Sequence, residues 1–230
     1  PLYTPPSPWV EGGNQGTLTL PSTWGAGNWN TGAFDPETGM YFAVSYTAAD
    51  NLGIAPTTSD SATMTHTLAQ GSPSTPVIQG LPLFKPPYGR VTALNMNTGE
   101  LEWSVANGDG PRDHPLLREL DLPPLGIPNR PAPLVTKSLL FVGEGSDAVV
   151  GTVPGGGGAY DSADTGYDES WRWGTLFRAF DKSTAATVFE IDLAAGTTGA
   201  PMTYMHEGKQ YIVVAVSSRA TDPEWVALGL

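Results

Sequence analysis

The sequence predicts an all-β fold assembled from β-propeller blades. Three observations lead there: a hairpin-like stretch that recurs, an excess of glycine and proline, and a low charge content over a hydrophobic fraction large enough for a core. Ala33-Phe-Asp-Pro-Glu-Thr-Gly-Met-Tyr-Phe42, Ala93-Leu-Asn-Met-Asn-Thr-Gly-Glu-Leu-Glu-Trp103 and Ala179-Phe-Asp-Lys-Ser-Thr-Ala-Ala-Thr-Val-Phe189 each read as strand, polar turn and strand. In each, an Asp or Asn caps its own turn, a Gly or Ala accepts positive φ, and an aromatic packs on the neighbouring sheet. One hairpin cannot bury its hydrophobic face alone, so recurrence points to stacked four-stranded blades.

Composition supports the same reading. Gly (28) and Pro (22) together make 50 of 230 residues, about 22% against roughly 12% in average usage, which disfavours long helices. Only 15% of residues are charged while 40% are hydrophobic, so the chain has enough apolar surface to fold. A net charge of −12 argues against nucleic acid and against anionic lipid as partners. No run approaches the 18 apolar residues of a membrane span. The absence of cysteine removes disulfides, thiolate catalysis and Cys-ligated zinc without deciding the compartment. Pro1-Leu-Tyr-Thr-Pro-Pro6 has neither a basic nor an apolar leader region, so a signal peptide is expected to have been removed or to lie ahead of this start.

Along the chain, residues 1–32 are turn-rich and the first hairpin runs on to Tyr46. Residues 47–80 are polar and rich in Thr, Ser and Ala, too long for a blade turn, and are expected to be an excursion. After the second hairpin, apolar positions 116, 117 and 120 suit one helical turn, and Pro133–Gly143 reads as a pair of strands. Residues 144–170 are acidic and glycine-rich; the run Gly155–Gly158 lacks the Lys and Ser/Thr of a phosphate loop and any following helix, and reads as a loop. Pro201–Met205, Glu207-Gly-Lys209 and Gln210–Val216 form the clearest hairpin. The motif positions lie 60 residues apart from Asp35 to Asn95 and 86 from Asn95 to Asp181. A blade takes roughly 40–45 residues, so the surplus is assigned to loops, and the chain holds roughly three to five blades. The four hairpins are expected in successive blades.

Several side chains invite a chemical reading. Asp113 and His114 resemble a carboxylate-oriented base, but adjacent residues rarely converge on one atom, and their proline-flanked setting reads as a surface loop. His66 and His206 read as exposed. Asp161, Asp164, Asp168 and Glu169 suggest calcium, but a loop from Asp161 would put Ala163, Thr165 and Arg172 where oxygen ligands are needed, so a solvated acidic loop is favoured and no metal site is assigned. Trp103 reads as packing between blades. Trp171 and Trp173 would share one face of a strand and could stack on a sugar. Pattern alone thus leaves open a non-catalytic propeller that binds carbohydrate or protein partners.

Four segments in order resemble a known family: Gly25-Ala-Gly-Asn-Trp-Asn-Thr-Gly-Ala-Phe-Asp-Pro-Glu-Thr-Gly39, Tyr88–Trp103, Arg130-Pro-Ala-Pro-Leu-Val-Thr-Lys137 and Gly199–Ala215. Together they resemble the C-terminal part of the dehydrogenases that depend on pyrroloquinoline quinone (PQQ), nearest the membrane glucose, quinate/shikimate and polyol/alcohol branch. The resemblance spans nearly the whole chain. It implies that residues 1–230 are C-terminal blades of one eight-bladed quinoprotein propeller domain, with excursions at 47–80 and 144–170. The rest of the propeller would come from further polypeptide. It implies oxidation of a small alcohol, polyol or aldose in the periplasm, at the bacterial inner membrane, with electrons passing to a quinone or cytochrome. Calcium would act as Lewis acid on the quinone carbonyl, an Asp as general base, and hydride would pass to the quinone. The calcium ligands, the base and a stacking Trp belong to the family's earlier blades, and no motif here matches them. The Gly-x-Asn-Trp segment, which lies by the cofactor in that family, carries over to Asn28 and Trp29. An Asn amide can donate to a quinone oxygen and an indole supplies apolar surface; from pattern alone, Asn28 is a turn former and Trp29 blade core.

Overall fold

A computed structural model of the chain describes residues 4–23, 25–28, 32–70, 72, 76–147 and 169–229. In chain order its strands are β1 (Ser7–Pro8), β2 (Thr17–Thr19), β3 (Gly32–Asp35), β4 (Met40–Tyr46), β5 (Asp50–Pro56), β6 (His66–Leu68), β7 (Val77–Ile78), β8 (Leu81–Pro82), β9 (Gly89–Asn95), β10 (Glu100–Ala106), β11 (Leu134–Val135), β12 (Leu139–Gly143), β13 (Leu176–Asp181), β14 (Thr187–Asp192), β15 (Met202–His206), β16 (Lys209–Val216) and β17 (Glu224–Gly229). Two short 3-10 turns, Arg118–Leu120 and Glu169–Arg172, are the helical elements described. No described helix is long and apolar enough to cross a membrane.

The chain divides into two compact units, one from residues 1–26, 47–85 and 151–169, the other from 27–46, 86–150 and 170–230. In the first, β5 is central. It pairs parallel with β1 and antiparallel with β2 and β6, so the polar segment 47–80 carries strands of its own. Asp50 is buried at the start of β5, where its carboxylate accepts from Thr23 N–H (2.8 Å) and Thr23 Oγ1 (2.6 Å).

The second unit holds three sheets, ordered β3-β4-β9-β10, β11-β12-β13-β14 and β15-β16-β17. All four expected hairpins are antiparallel. Their turns use the predicted chemistry: Asp35 accepts from Glu37 N–H (3.1 Å), Asn95 from Asn97 N–H (3.0 Å) and Asp181 from Ser183 and Thr184 N–H (2.9 and 3.0 Å). Gly39, Gly99 and Ala185 take φ of 75°, 78° and 62°.

The expectation that these hairpins lie in successive blades is corrected for the first two. β4 pairs with β9 over its whole length, from Met40 with Asn95 to Tyr46 with Gly89, so hairpins 35–39 and 95–99 are the two halves of one sheet. Their turns are stitched together: Asn97 Nδ2 donates to Thr38 O (3.0 Å) and Met96 N–H to Gly39 O (2.9 Å). The uneven motif spacing follows from this. Asp35 begins a first-to-second strand turn, whereas Asn95 and Asp181 begin third-to-fourth strand turns.

Strand alternation sends successive side chains to opposite faces, and β12 uses both. Leu140 and Val142 pack with Phe42, Val91, Ala93 and Phe180. Phe141, on the other face, packs with Phe177, Ala179, Ile212, Val214 and Val216. The middle sheet is therefore covered on both sides, and each of its buried large side chains contributes about 1.5–3 kcal/mol. Trp103 joins the first two sheets as expected. Its ring lies 5.8 Å from that of Phe42, and Nε1 donates to Lys182 O (3.1 Å). Lys182 Nζ in turn pairs with buried Asp35 at 2.5 Å.

Candidate functional site

Short turns occupy one end of the three sheets. The other end, where β4, β12 and β16 finish and β3, β11 and β15 begin, receives the long connections. The connection 107–133 starts there as a two-sided ladder outside regular strands: Leu125, Gly126 and Ile127 N–H donate to the carbonyls of Asp109, Gly108 and Asn107 (2.9, 2.9 and 2.8 Å). Gly126, at φ 83°, allows this ladder to touch the start of β9, since a Cβ there would fall 2.1 Å from Gly89 O.

Buried amides and hydroxyls then tie the connections to one another, as buried polar groups require. Asn107, 1% exposed, donates through Nδ2 to Gly143 O (2.9 Å). Asn129, 2% exposed, donates through Nδ2 to Ser146 O (3.3 Å) and Arg172 O (3.1 Å), and its Oδ1 accepts from Arg130 N–H (2.7 Å). Ser146 Oγ donates to Ser217 O. Loops leaving all three sheets are thus held by one another.

Charge is concentrated in two places at this end. Glu144 follows β12 directly and is buried, with Gly108 and Gly174 packed so closely that a Cβ on Gly174 would lie 1.9 Å from Glu144 Oε2. Arg178 of β13 bridges Glu144 (Nη1 to Oε1, 2.7 Å) and Glu190 of β14 (Nε to Oε2, 2.5 Å). Burial pushes the Glu144 carboxyl above its ordinary range although Arg178 pulls it down, while the two glutamates keep the Arg178 guanidinium protonated despite its own burial. Beside the pair opens a cleft of about 370 Å³ lined by Gly108, Asp109, Pro124, Arg178, Thr187 and Glu190. Elsewhere, Arg130 precedes β11 and its Nε and Nη2 donate to Tyr46 Oη (3.3 and 3.1 Å), with the guanidinium carbon 5.8 Å from the ring centre.

Asn28 is exposed and lies four residues ahead of β3, at this same end of the first sheet. Trp29 lies outside the described residues, as do Asp161, Asp164 and Asp168. Among the described residues no three His, Asp or Glu side chains group as metal ligands. The surface-loop reading of Asp113 and His114 is corrected for the histidine. Asp113 is exposed, but His114 is 2% exposed and its Nδ1 accepts from Leu116 N–H (3.1 Å), a bond internal to its turn. His66 and His206 are exposed. A shared face for Trp171 and Trp173 requires that stretch to be a strand, and Glu169–Arg172 is instead a 3-10 turn. Trp171 is buried, 5.7 Å from the Tyr88 ring, so a shared sugar-stacking face is not formed. Sequence reasoning missed Glu144, Arg178, Asn129 and Arg130. An apolar strand that ends in a glutamate between two glycines, Gly143-Glu-Gly145, was the available signal for the first.

The profile of the family described as "Glucose/ethanol/alcohol dehydrogenase, beta-propeller domain", with the short name PQQ, matches residues 1–164 and 167–212. The chain belongs to this PQQ propeller family. The quinate/shikimate dehydrogenase (quinone) of Acinetobacter baylyi is 28% identical over 148 residues, 63% of this chain and 15% of that protein. The glycerol dehydrogenase large subunit of Gluconobacter thailandicus is 25% identical over 242 residues, 92% of this chain and 28% of that protein. The chain thus spans less than a third of the length of these curated relatives. The solved quinohemoprotein alcohol dehydrogenase of Comamonas testosteroni is 19% identical with a TM-score of 0.54, over 91% of this chain and 27% of that one. The corresponding enzyme ADHIIG of Pseudomonas putida HK5 is 17% identical with the same TM-score, over 90% and 24%. These two likenesses establish the propeller fold of this PQQ-family chain.

Proposed function

We propose that the chain is part of a PQQ-dependent dehydrogenase that oxidises an alcohol, polyol or aldose in the periplasm, at the inner membrane, and delivers electrons to a quinone or cytochrome. The observation that carries this reading is the family match across nearly all of residues 1–212; the relatives named for quinate, glycerol and glucose all take hydroxylated small molecules. When bound, PQQ supplies the two-electron acceptor.

The residues at the long-connection end suit that group in one place and not in another. Asn28 offers an amide donor, and Arg130 a cation, to a planar anion rich in carbonyl and carboxylate oxygens. The cleft beside Arg178 does not suit it, because Asp109 and Glu190 line that cleft and Glu144 stands behind it. On this reading Asn28 and Trp29 border the cofactor and the chain forms one wall of its site. Further polypeptide supplies the base, the calcium ligands and the remaining blades. The bare outer faces of the first and third sheets support that last point: Phe34 and Leu101 on one, Met202 and Trp225 on the other, are half-exposed or more.

The test is titration of the complete apo-protein with PQQ in the presence of calcium, followed by dye reduction with an alcohol or aldose. Asn28→Ala is expected to weaken PQQ binding by about ten- to a hundredfold, the loss of one hydrogen bond to a charged ligand, about 1.5–3 kcal/mol. Unchanged affinity would remove Asn28 from the site. A wild-type protein that binds no PQQ would overturn the reading and favour a non-catalytic propeller.

A further inference from the structure

The cleft beside Arg178 does not suit PQQ, yet it is a built cavity with a chemistry of its own. It opens on one face of β13 and β14, and a register shift decides which side chains it receives. Arg178 stands opposite Glu190 and Ala179 opposite Phe189, but Phe180 stands opposite Thr187, so Val188 is an extra residue in β14. Strict alternation from Glu190 would turn Val188 to the cleft side. The bulge brings Thr187 there instead, while Val188 is 55% exposed and does not line the cleft. A hydroxyl thus replaces an isopropyl group in the wall.

The polar groups surround an apolar floor made by Leu176 and Phe180. Arg178 is held by two carboxylates, through Nη1 to Glu144 Oε1 (2.7 Å) and Nε to Glu190 Oε2 (2.5 Å). Its Nη2 bonds to none of the described residues and is not among the buried unpaired atoms, so its N–H donors remain open to a ligand. Each cleft carboxylate likewise commits one oxygen, Glu190 Oε2 to Arg178 and Asp109 Oδ1 to Arg112 Nη1 (2.9 Å). Glu190 Oε1, Asp109 Oδ2 and the Thr187 hydroxyl make no hydrogen bond to the described residues.

These remaining valences decide the ligand. Asp109 and Glu190 repel an anion, and Arg178 between them repels a cation. A neutral polyol meets neither objection. Each of its hydroxyls both donates and accepts, so one can accept from Arg178 Nη2 while its neighbours donate to Glu190 and Asp109 and the carbon chain lies on Leu176 and Phe180. The guanidinium is already fixed, so little rotamer freedom is lost on binding. A volume of about 370 Å³ falls within the roughly 300–1,000 Å³ of small-molecule sites.

We propose that this cleft is a binding site for a neutral polyhydroxylated ligand, with Arg178, Glu190, Asp109 and Thr187 as its polar contacts. The proposal goes beyond the PQQ-dependent reading and does not rest on it.

The experiment uses the complete apo-protein, so that turnover plays no part. Glu190→Ala removes one acceptor and keeps the Arg178–Glu144 pair, and Thr187→Trp fills the cleft from an exposed strand position. Calorimetric titrations use sorbitol and glucose as neutral probes, gluconate as an anion and protonated glucosamine as a cation, and thermal melts report folding. The wild type is expected to bind sorbitol or glucose saturably, the tighter of the two naming an open-chain or a cyclic ligand, and to bind both charged probes more weakly. Glu190→Ala is expected to raise the Kd of the neutral ligand about tenfold or more, and Thr187→Trp to abolish its binding. No saturable binding of either neutral probe by the wild type, or an unchanged Kd in either folded variant, overturns the proposal. Tighter binding of gluconate or glucosamine overturns the neutral class. If Thr187→Trp does not fold, Glu190→Ala decides alone. No arm uses PQQ, so a protein without PQQ affinity overturns the earlier reading and leaves this one standing.

Discussion

At the short-turn end of the sheets, Asp35, Asn95 and Asp181 each close a turn by bonding to backbone two or three residues ahead. At the long-connection end, Asn107, Asn129 and Ser146 reach partners 36, 43 and 71 positions away. The first kind of contact is complete as soon as its own hairpin exists. The second exists only when several sheets are already in place. Loss of one of these turn bonds should therefore stay local, even though Asn97, Lys182 and Trp103 also link hairpins at that end, while loss of a bond at the other end should be shared by every sheet it ties.

The strongest way to break this contrast is at Gly126. Gly126→Ala requires a side chain at φ 83° and puts its Cβ 2.1 Å from Gly89 O, so strain and overpacking add to a loss of about 3 kcal/mol or more. The chemically matched change at the other end, Gly99→Ala, meets nothing within 4 Å and carries only the left-handed backbone cost, about 1–2 kcal/mol. Urea unfolding of both variants checks the ranking; equal losses would mean that the connection end is no more constrained than a hairpin turn.

A smaller effect, and one of opposite sign at the two ends, is expected in pH dependence. The side-chain bond from Lys182, with those from Thr38 and the Glu37 N–H, holds the Asp35 carboxyl below its ordinary value of 3.8. A lowered folded pKa means stability that is full above the ordinary value and is lost as pH falls through the folded one. Glu144 runs the other way. Burial raises its pKa above the ordinary 4.5, so its penalty is full at neutral pH and lifts as pH falls through the raised value. Asp35→Asn should therefore cost about 1–2 kcal/mol at neutral pH and lose its deficit below pH 3.8, whereas Glu144→Gln should erase a stability gain between neutrality and pH 4.5. Urea midpoints measured from pH 7 to 3 separate the two; parallel curves would contradict the assignment. The smallest effect is at Trp103→Phe, which keeps the ring near Phe42 and removes the Nε1 bond to Lys182 O. About 1 kcal/mol is expected in the same assay.

The same division decided what the sequence could reveal. Asx, Thr and Gly spell a turn within five residues, and so the hairpins at 35–39, 95–99 and 181–185 were readable. Which hairpins share a sheet was not, because β4 meets β9 across a segment that belongs to the other unit, and nothing local encodes that pairing. His114 looked exposed because prolines flank it, yet it is 2% exposed. Arg178 lay inside a recognised strand, but its role depends on Glu144, 34 residues earlier and beyond a long connection. Asn28 was singled out only through a resemblance, since nothing local marks it.

The double use of β12, with Leu140 and Val142 on one face and Phe141 on the other, has a bearing on how such a chain can change over evolutionary time. Adding one residue to a strand buried on both sides exchanges its two faces and misplaces every contact at once. Adding many residues to a connection that is already long costs little, because closure entropy grows only with the logarithm of length. Innovation in such a scaffold is therefore channelled to one rim of the sheets, the rim that carries Asn28 and Arg130, while the opposite rim stays short and the strands between keep their count.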